Sequence, residues 1–364
     1  MRVLLSGYYG FGNLGDEALL EVIVAQIKTR HPYAAIDVLS ATPRETAHAL
    51  RVEATQRWET KAIRRAIERA DVVLSGGGGL LQDATSLRSL LYYAGILRTA
   101  VRARRKTMIF AQSIGPLDFF GKTVVREFCK GVDAATVRDE ASLALLRSLV
   151  PGMRVERSAD PVFLYDAPEE EIDLSAEGLG PQSDPFVVVS VRKANGYKER
   201  IDATAHAVDR LSERHGARVA FLPLGGQSDA EASTQVIRKC RSAPVLLPEC
   251  SLARAANVIG HAKALIGMRL HALVFAARAG VPFLAIPYDP KVAALCRDLA
   301  YPLPALFSLE PRSPKPTAEE IDALVDRMMD EHDAIADHLN AAQQHLRRLA
   351  LRNFEVLDEV VAQG

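Results

Sequence analysis

The sequence predicts an α/β protein built as two doubly wound parallel-sheet domains facing each other across a cleft, followed by C-terminal helices. Three observations carry this. Short apolar runs alternate with helical patterns from Val3 to about Leu299, the signature of βαβ units and a parallel sheet. The glycine-rich and charged residues repeatedly fall just past the end of an apolar run, where open α/β sheets bind ligands. Finally, 364 residues are too many for one ordinary core and comfortable for two.

In chain order, Val3 to Ser6 is a strand, and Gly7 to Glu17 is a loop carrying Gly7, Gly10, Gly12 and Gly15. A helix follows to about Thr29, with Leu19, Leu20, Ile23, Val24 and Ile27 inward. The glycine spacing is not the dinucleotide fingerprint. Asp16 and Glu17 suit the first helical turn, where carboxylates offset the helix dipole. Ile36 to Leu39 is the second strand, Ala62 to Arg69 a helix and Val72 to Leu74 the third strand. Gly76 to Gly79 then follow without interruption. Four glycines at the end of a buried strand are costly in chain entropy, so we read Gly77, Gly78 and Gly79, with Asp83, as the wall of a ligand site. Leu87 to Arg102 is a helix, Thr107 to Ala111 the fourth strand ending in Gln112, and Ala134 to Val137 the fifth, ending in Arg138. Arg138 is either half of a salt bridge or a cation pointing into the crevice. Val155 to Leu164 reads as the last strand and turn of the first half.

The expected boundaries are 1–170 for the first domain, 171–185 for a linker with a solvated acidic run, 186–310 for the second domain and 317–362 for C-terminal helices. Phe186 to Val191 opens the second half and ends in Arg192-Lys193-Ala194-Asn195. Ile201 to His215 is helical, Val219 to Leu222 is a strand followed by Gly225 and Gly226, and Val245 to Leu247 is a strand followed by Glu249. Leu252 to Ile259 is a helix. Ala264 to Asp289 is then a compact unit of strand, tight turn, buried helix (Leu270 to Ala279), stop at Gly280 and second strand. Arg269 and His271 stand where that helix begins. A helix N-terminus favours an anion, a guanidinium matches carboxylate or phosphate, and an imidazole moves protons near neutrality. Taken alone, a solvated Arg and a carbonyl-bound His explain the tripeptide as well. Val292 to Leu299 is a helix, and residues 312–316 form a Pro-rich connector. Ile321, Leu324, Val325, Met328 and Met329 share one helical face, and a last helix runs from Ile335 to Val361.

Composition limits the functional classes. Lys plus Arg equals Asp plus Glu at 45 each, so no global basic field attracts nucleic acid and anion recognition must be local. Cys129, Cys240, Cys250 and Cys296 are scattered without metal or disulfide spacing and read as cytosolic thiols. No apolar run reaches membrane-spanning length, so a membrane-bound substrate would be met from the cytoplasmic side. The motifs of zinc proteases, Walker-type NTPases and serine hydrolases are missing, and no metal is expected in the site.

Gly12-Asn13-Leu14-Gly15-Asp16-Glu17-Ala18, Gly76 to Leu80 with Asp83, Gln112-Ser113-Ile114-Gly115-Pro116, Arg138-Asp139 and Met268-Arg269-Leu270-His271 together resemble the polysaccharide pyruvyltransferases, over roughly Met1 to Leu299. The likeness is nearest to the CsaB type, which modifies bacterial secondary cell-wall polymers used in S-layer anchoring. The resemblance implies two Rossmann-like domains of GT-B kind, phosphoenolpyruvate as co-substrate with no bound cofactor, and a pyruvate ketal on a sugar as product. It further implies C-terminal helices packed back on the first domain. Arg269 and Arg192, assisted by Lys193 and more weakly by Arg138, are then expected to hold the donor, with His271 as general acid or base. Gly12, Asn13, Gly15, Asp16, Gly77, Gly78, Gly79, Asp83 and Gln112 form the acceptor side. The acceptor is a glycan or lipid-linked glycan, met in the cytoplasm with peripheral contact at the inner membrane face. The alternatives are a nucleotide-sugar glycosyltransferase, with Glu249 as ribose ligand, and a non-catalytic sugar-phosphate-binding protein. The sequence sets no oligomeric state.

Overall fold

The computed structural model describes residues 1–179, 185–194, 197–310 and 313–362. Asn195, Arg312 and residues 180–184 of the expected linker lie outside the described residues. The chain divides into two compact units, Met1–Tyr165 with Leu346–Gly364, and Asp166–His345.

In the first unit the elements are β1 (Arg2–Tyr9), α1 (Leu14–Arg30), β2 (Ala35–Ser40), α2 (Pro43–Leu50), β3 (Glu53–Gln56), α3 (Thr60–Arg69) and β4 (Val72–Gly78). They continue as α4 (Leu87–Arg102), β5 (Lys106–Gln112), α5 (Phe119–Phe128), β6 (Ala134–Val137), α6 (Glu140–Leu149) and β7 (Arg154–Arg157). The seven strands form one parallel sheet in the order β3-β2-β1-β4-β5-β6-β7. The winding reverses between β1 and β4, the switch point at which such sheets bind ligands. Leu4, Leu39 and Val73 pack against Ile63, Ala66 and Ile67 of α3 and Ile96 and Ala100 of α4. Farther along the sheet, Ile109, Ala135, Val137 and Val155 meet Leu97, Val124, Val125 and Leu146. The turn expected after the last strand of this unit is a 3-10 turn at Pro161–Leu164, where Pro161 withholds a ladder donor and Asp160 caps the turn by accepting from the Val162 N–H.

In the second unit come β8 (Phe186–Ser190), α7 (Tyr197–His215), β9 (Arg218–Phe221), α8 (Gln227–Ile237), β10 (Val245–Leu246), α9 (Leu252–Gly260) and β11 (Ala264–Gly267). Then follow α10 (Leu270–Ala279), β12 (Phe283–Ala285), α11 (Pro290–Asp298), α12 (Ala318–Asp330) and the part of α13 (His332–Ala362) that precedes Leu346. The parallel sheet order is β10-β9-β8-β11-β12, with the switch between β8 and β11.

Two expectations about organisation change. The described part of the expected linker, residues 171–179, is not free: Ile172, Leu174 and Leu179 are buried, and Arg254 of α9 donates to the Asp173 carbonyl at 3.3 Å. Nor does the whole of 317–362 pack on the first unit. On α12, Asp322 pairs with His206 at 2.9 Å and Asp326 with His215 at 2.8 Å, both on α7. The carboxylate stripe of α12 thus meets the basic stripe of α7, and these residues join the second unit. Only from Leu346 does α13 belong to the first. There Phe354 is fully buried edge-to-face against Phe110 of β5, Arg352 pairs with Glu156 at 2.6 Å, and Arg30 of α1 pairs with Asp358 at 2.7 Å.

Candidate functional site

In the second unit the backbone ladder runs just past the strands: the Met268 N–H donates to Ser190 and the Ile286 N–H to Gly267. This brings Arg192 and Lys193 after β8, Gly225 and Gly226 after β9, Arg269 after β11 and Tyr288 after β12 to the carboxyl ends of adjacent strands. Arg269 occupies the N-cap position of α10 with extended backbone and makes no side-chain cap. Its guanidinium reaches α8 instead, donating from Nε to Asp229 Oδ2 at 2.7 Å and from Nη2 to Asp229 Oδ1 at 2.5 Å. Asp229 is fully buried in the first turn of α8, where the helix dipole favours its charge. Gly225 makes this fork possible: a Cβ there would stand 2.0 Å from Arg269 Nη2. His271 is the second residue of α10 and half-buried. Arg192 stacks over Tyr288 at 4.8 Å and donates from Nη1 to its hydroxyl at 3.0 Å. Lys193 is exposed and paired with Glu231 at 2.7 Å. Glu249 lies beside the start of α8, 3.4 Å from where a Cβ on Gly226 would stand.

The first unit rearranges several expected roles. Arg138 does not open onto a crevice. It is buried, paired with the equally buried Asp160, and donates to Ser113 at 3.3 Å, because a cation at that depth needs a compensating carboxylate. Gln112 is also buried, and its amide donates to the Ser75 carbonyl and hydroxyl, both at 2.8 Å, which ties β5 to β4. The glycines ending β4 make room for the protein's own side chains rather than forming a bare wall. A Cβ on Gly76 would stand 2.7 Å from the Tyr9 hydroxyl, one on Gly77 2.9 Å from Leu19, and one on Gly78 3.2 Å from Asp16. Gly79 follows the strand, half-buried. Asp83 accepts from the Asp118 N–H at 2.8 Å, at the start of α5.

Asn13 is the N-cap of α1, accepting from the Gly15 N–H at 3.2 Å and donating to Asp16 at 2.6 Å. Gly12 beside it has open space where a Cβ would go. Glu17 turns back beneath this loop and accepts from the Gly10 N–H at 2.8 Å. The Phe11 and Gly12 N–H groups also favour its charged form. Burial raises its carboxyl above the ordinary glutamate value, and these three donors pull the other way. Burial likewise pushes the Tyr9 phenol well above its usual range. Asp229 was not singled out in the sequence, and Glu17 was read as a first-turn carboxylate and motif member without its bond back to the Gly10 N–H. Their only sequence signal was a carboxylate in the first turn of a helix following glycines. Among the described residues, no group of three or more His, Cys, Asp or Glu is placed to hold a metal ion.

Two Rossmann-like parallel-sheet domains with C-terminal helices define an α/β protein of GT-B-like class. The chain is similar in fold to a putative UDP-N-acetylglucosamine 2-epimerase of Listeria monocytogenes (TM-score 0.67, 10% identity, 98% of this chain and 94% of that one). It is also similar to MnaA of S. aureus solved with UDP (0.68, 8%, 99% and 96%), and to HepE of Anabaena solved with UDP and glucose (0.65, 13%, 100% and 99%). A likeness at such low identity speaks for the fold alone. The particular assignment comes from a family model described as polysaccharide pyruvyl transferase, which matches residues 13–290. The chain belongs to that family, and it is a transferase.

Proposed function

We propose that the protein moves the pyruvyl group of phosphoenolpyruvate onto two hydroxyls of a glycan, forming a ketal and releasing phosphate. The observation that carries this is the placing of Arg192, Arg269 and His271 together at the switch-point end of the second sheet, in a chain whose family is polysaccharide pyruvyl transferase. The donor carries a phosphate and a carboxylate, and guanidinium groups match both. The donor's methylene carbon gains a proton and becomes the methyl group. One sugar hydroxyl adds to the adjacent carbon, a second displaces phosphate, and their two protons end on the methyl group and on the phosphate. Arg192 and Arg269 orient the donor, Lys193 assists, and His271 carries the proton. No bound cofactor is required. The acceptor is assigned to the first unit, around Gly12, Asn13, Gly15 and Asp16, and we extend the reading to a lipid-linked glycan met at the inner face of the membrane. Among the described residues no helix is long and apolar enough to cross a membrane.

The test is phosphate release from phosphoenolpyruvate, with a matching mass gain in a lipid-linked disaccharide. His271→Ala is expected to lower kcat by about 10²- to 10⁴-fold, the usual worth of a positioned acid or base, and Arg269→Ala to lower turnover by leaving the donor misaligned. Full turnover in both folded variants would overturn the reading. The neighbours solved with UDP and the position of Glu249 beside the start of α8 favour a second reading, nucleotide-sugar transfer. Calorimetry with phosphoenolpyruvate and with a uridine diphosphate sugar separates the two. Donor consumption dependent on acceptor would exclude mere sugar-phosphate binding.

A further inference from the structure

The first unit carries an aromatic surface that this chemistry has not used. Trp58, the chain's single tryptophan, follows β3 and is 62% exposed, and Tyr8 and Phe11, at the end of β1 and in the loop after it, are 40% and 38% exposed. Tyr8 and Phe11 stack at 4.2 Å and 13°. Phe11 meets Trp58 edge-on at 6.2 Å, Trp58 leans on Tyr92 at 6.0 Å, and Tyr92 abuts Tyr93 at 5.1 Å. Beneath them lies Arg57, 2% exposed. Its guanidinium carbon is 4.8 Å from the centres of Phe11, Trp58 and Tyr92 and 5.6 Å from that of Tyr93. It donates to the Gly7 carbonyl at 2.7 Å and the Tyr93 hydroxyl at 3.0 Å. Among the described residues no carboxylate pairs with Arg57. Four ring faces and a carbonyl compensate its charge instead.

This construction fixes Phe11 and Trp58 against the Arg57 guanidinium and Tyr8 against Phe11, and leaves all three rings partly exposed. Three large exposed rings in contact are an unusual surface and mark a binding site. The charges nearby select the ligand. The Gly10 N–H is taken by the Glu17 carboxylate, whose charged form the Phe11 and Gly12 N–H groups also favour, so a phosphate would meet a negative charge. Arg57 is covered, and its Nη1 and Nη2 are already bonded. A neutral ligand with an apolar face and a polar rim is what remains. The stacked Tyr8–Phe11 pair and Trp58 form two facets, with 72° between Phe11 and Trp58, which suits a ring lodged between them better than a flat hydrocarbon surface. A sugar ring, with C–H bonds on its face and hydroxyls at its edge, has these properties.

We propose that Tyr8, Phe11 and Trp58 form a stacking platform for a neutral sugar ring of the acceptor glycan, with Arg57 as the positioning residue that holds them. The identity of the ligand as the acceptor rests on the pyruvyl-transfer reading; the platform itself rests on the geometry. Because Trp58 is the only tryptophan, its fluorescence reports this surface alone. The full chain is titrated with methyl glycosides of glucose, N-acetylglucosamine and N-acetylmannosamine, with inorganic phosphate, and with phosphatidylcholine and phosphatidylglycerol vesicles. A saturable change with at least one glycoside, and none with phosphate or vesicles, is expected. Phe11→Ala should raise the glycoside Kd and the acceptor KM tenfold or more while leaving the phosphoenolpyruvate Kd unchanged. A response to vesicles alone, or phosphate-releasing enzyme whose acceptor KM is unmoved by Phe11→Ala, overturns the platform and leaves the transferase reading standing. Glycoside binding without any turnover of phosphoenolpyruvate does the reverse.

Discussion

Gly225→Ala is the substitution that most directly tests how the second unit builds its site. The added Cβ would stand 2.0 Å from Arg269 Nη2, 2.7 Å from its Cζ and 3.0 Å from Asp229 Oδ2. A clash with the tip of an arginine is usually relieved by swinging the side chain away. Here the tip is pinned by two hydrogen bonds to a carboxylate with no exposed surface. Moving it leaves Asp229 buried and uncompensated, a class of change that costs about 3–5 kcal/mol. The Arg269 side chain, 14% exposed, can still reach water, which favours the lower end. Replacing glycine where φ is not positive also returns about 0.4–1 kcal/mol through the unfolded chain. A net destabilisation of about 2–3 kcal/mol follows, roughly a 30- to 140-fold change in the unfolding equilibrium. Trp58 sits in the first unit, so its fluorescence is blind to this. Urea unfolding followed by circular dichroism, with hydrogen exchange across α8 and α10, reports the second unit. In an Arg269→Ala background the same glycine substitution should cost less than about 1 kcal/mol, because the clash is gone, giving a coupling of at least about 1 kcal/mol. If Gly225→Ala costs as much without Arg269 as with it, the fork to Asp229 is not what that glycine serves.

Two further outcomes follow. Arg138→Met leaves Asp160 buried without its partner and should destabilise the first unit by about 3–5 kcal/mol, read as an earlier Trp58 unfolding transition, while the KM for phosphoenolpyruvate in folded protein stays unchanged; a donor-binding defect without loss of stability would return Arg138 to the site. The Glu17 carboxyl is raised above its ordinary value by burial. The native state therefore holds that proton more tightly than the unfolded chain, and the group's contribution to stability declines as pH rises between the two values. On acidification through the raised value it becomes neutral and a weaker acceptor for the Gly10–Gly12 loop. Trp58 emission, coupled to Phe11, should then titrate with a midpoint above the ordinary glutamate range, and Glu17→Gln should abolish that step. A midpoint at the ordinary value, or one that survives Glu17→Gln, would refute it.

The sheets were legible in the sequence because parallel strands covered on both faces are nearly continuous apolar runs. Phe186–Ser190 and Ala264–Gly267 announce themselves. What escaped is physically different. β3, Glu53–Gln56, is a polar strand at the sheet edge, and α2 carries one buried residue, so neither has an apolar period to read. α5, Phe119–Phe128, leaves Phe119 and Phe120 exposed, which blurs its inward face. In the site, the sequence marked Arg269 and Arg138 as notable but could not show their partners, because Asp229 and Asp160 are brought there by the winding of the sheet. The aromatic cluster was invisible for the same reason: Tyr8 and Phe11, Arg57 and Trp58, and Tyr92 and Tyr93 come from three separate stretches.

Those partners alter how the cations of the second unit can work. Arg269 is balanced by Asp229 and Lys193 by Glu231, so neither adds a full net charge to attract an anionic donor. Arg192 stands apart. Its described partners are the Tyr288 ring and hydroxyl and the Lys193 carbonyl, which hold its direction without cancelling its charge. Electrostatic attraction at this edge therefore rests on Arg192 and on the backbone N–H groups that open α10. Arg269, fixed by its buried carboxylate, supplies orientation at little entropic cost when ligand arrives. Under the proposed pyruvyl transfer, Arg192 is accordingly expected to set how steeply donor affinity falls with salt, and Arg269 to set whether the bound donor is aligned for transfer.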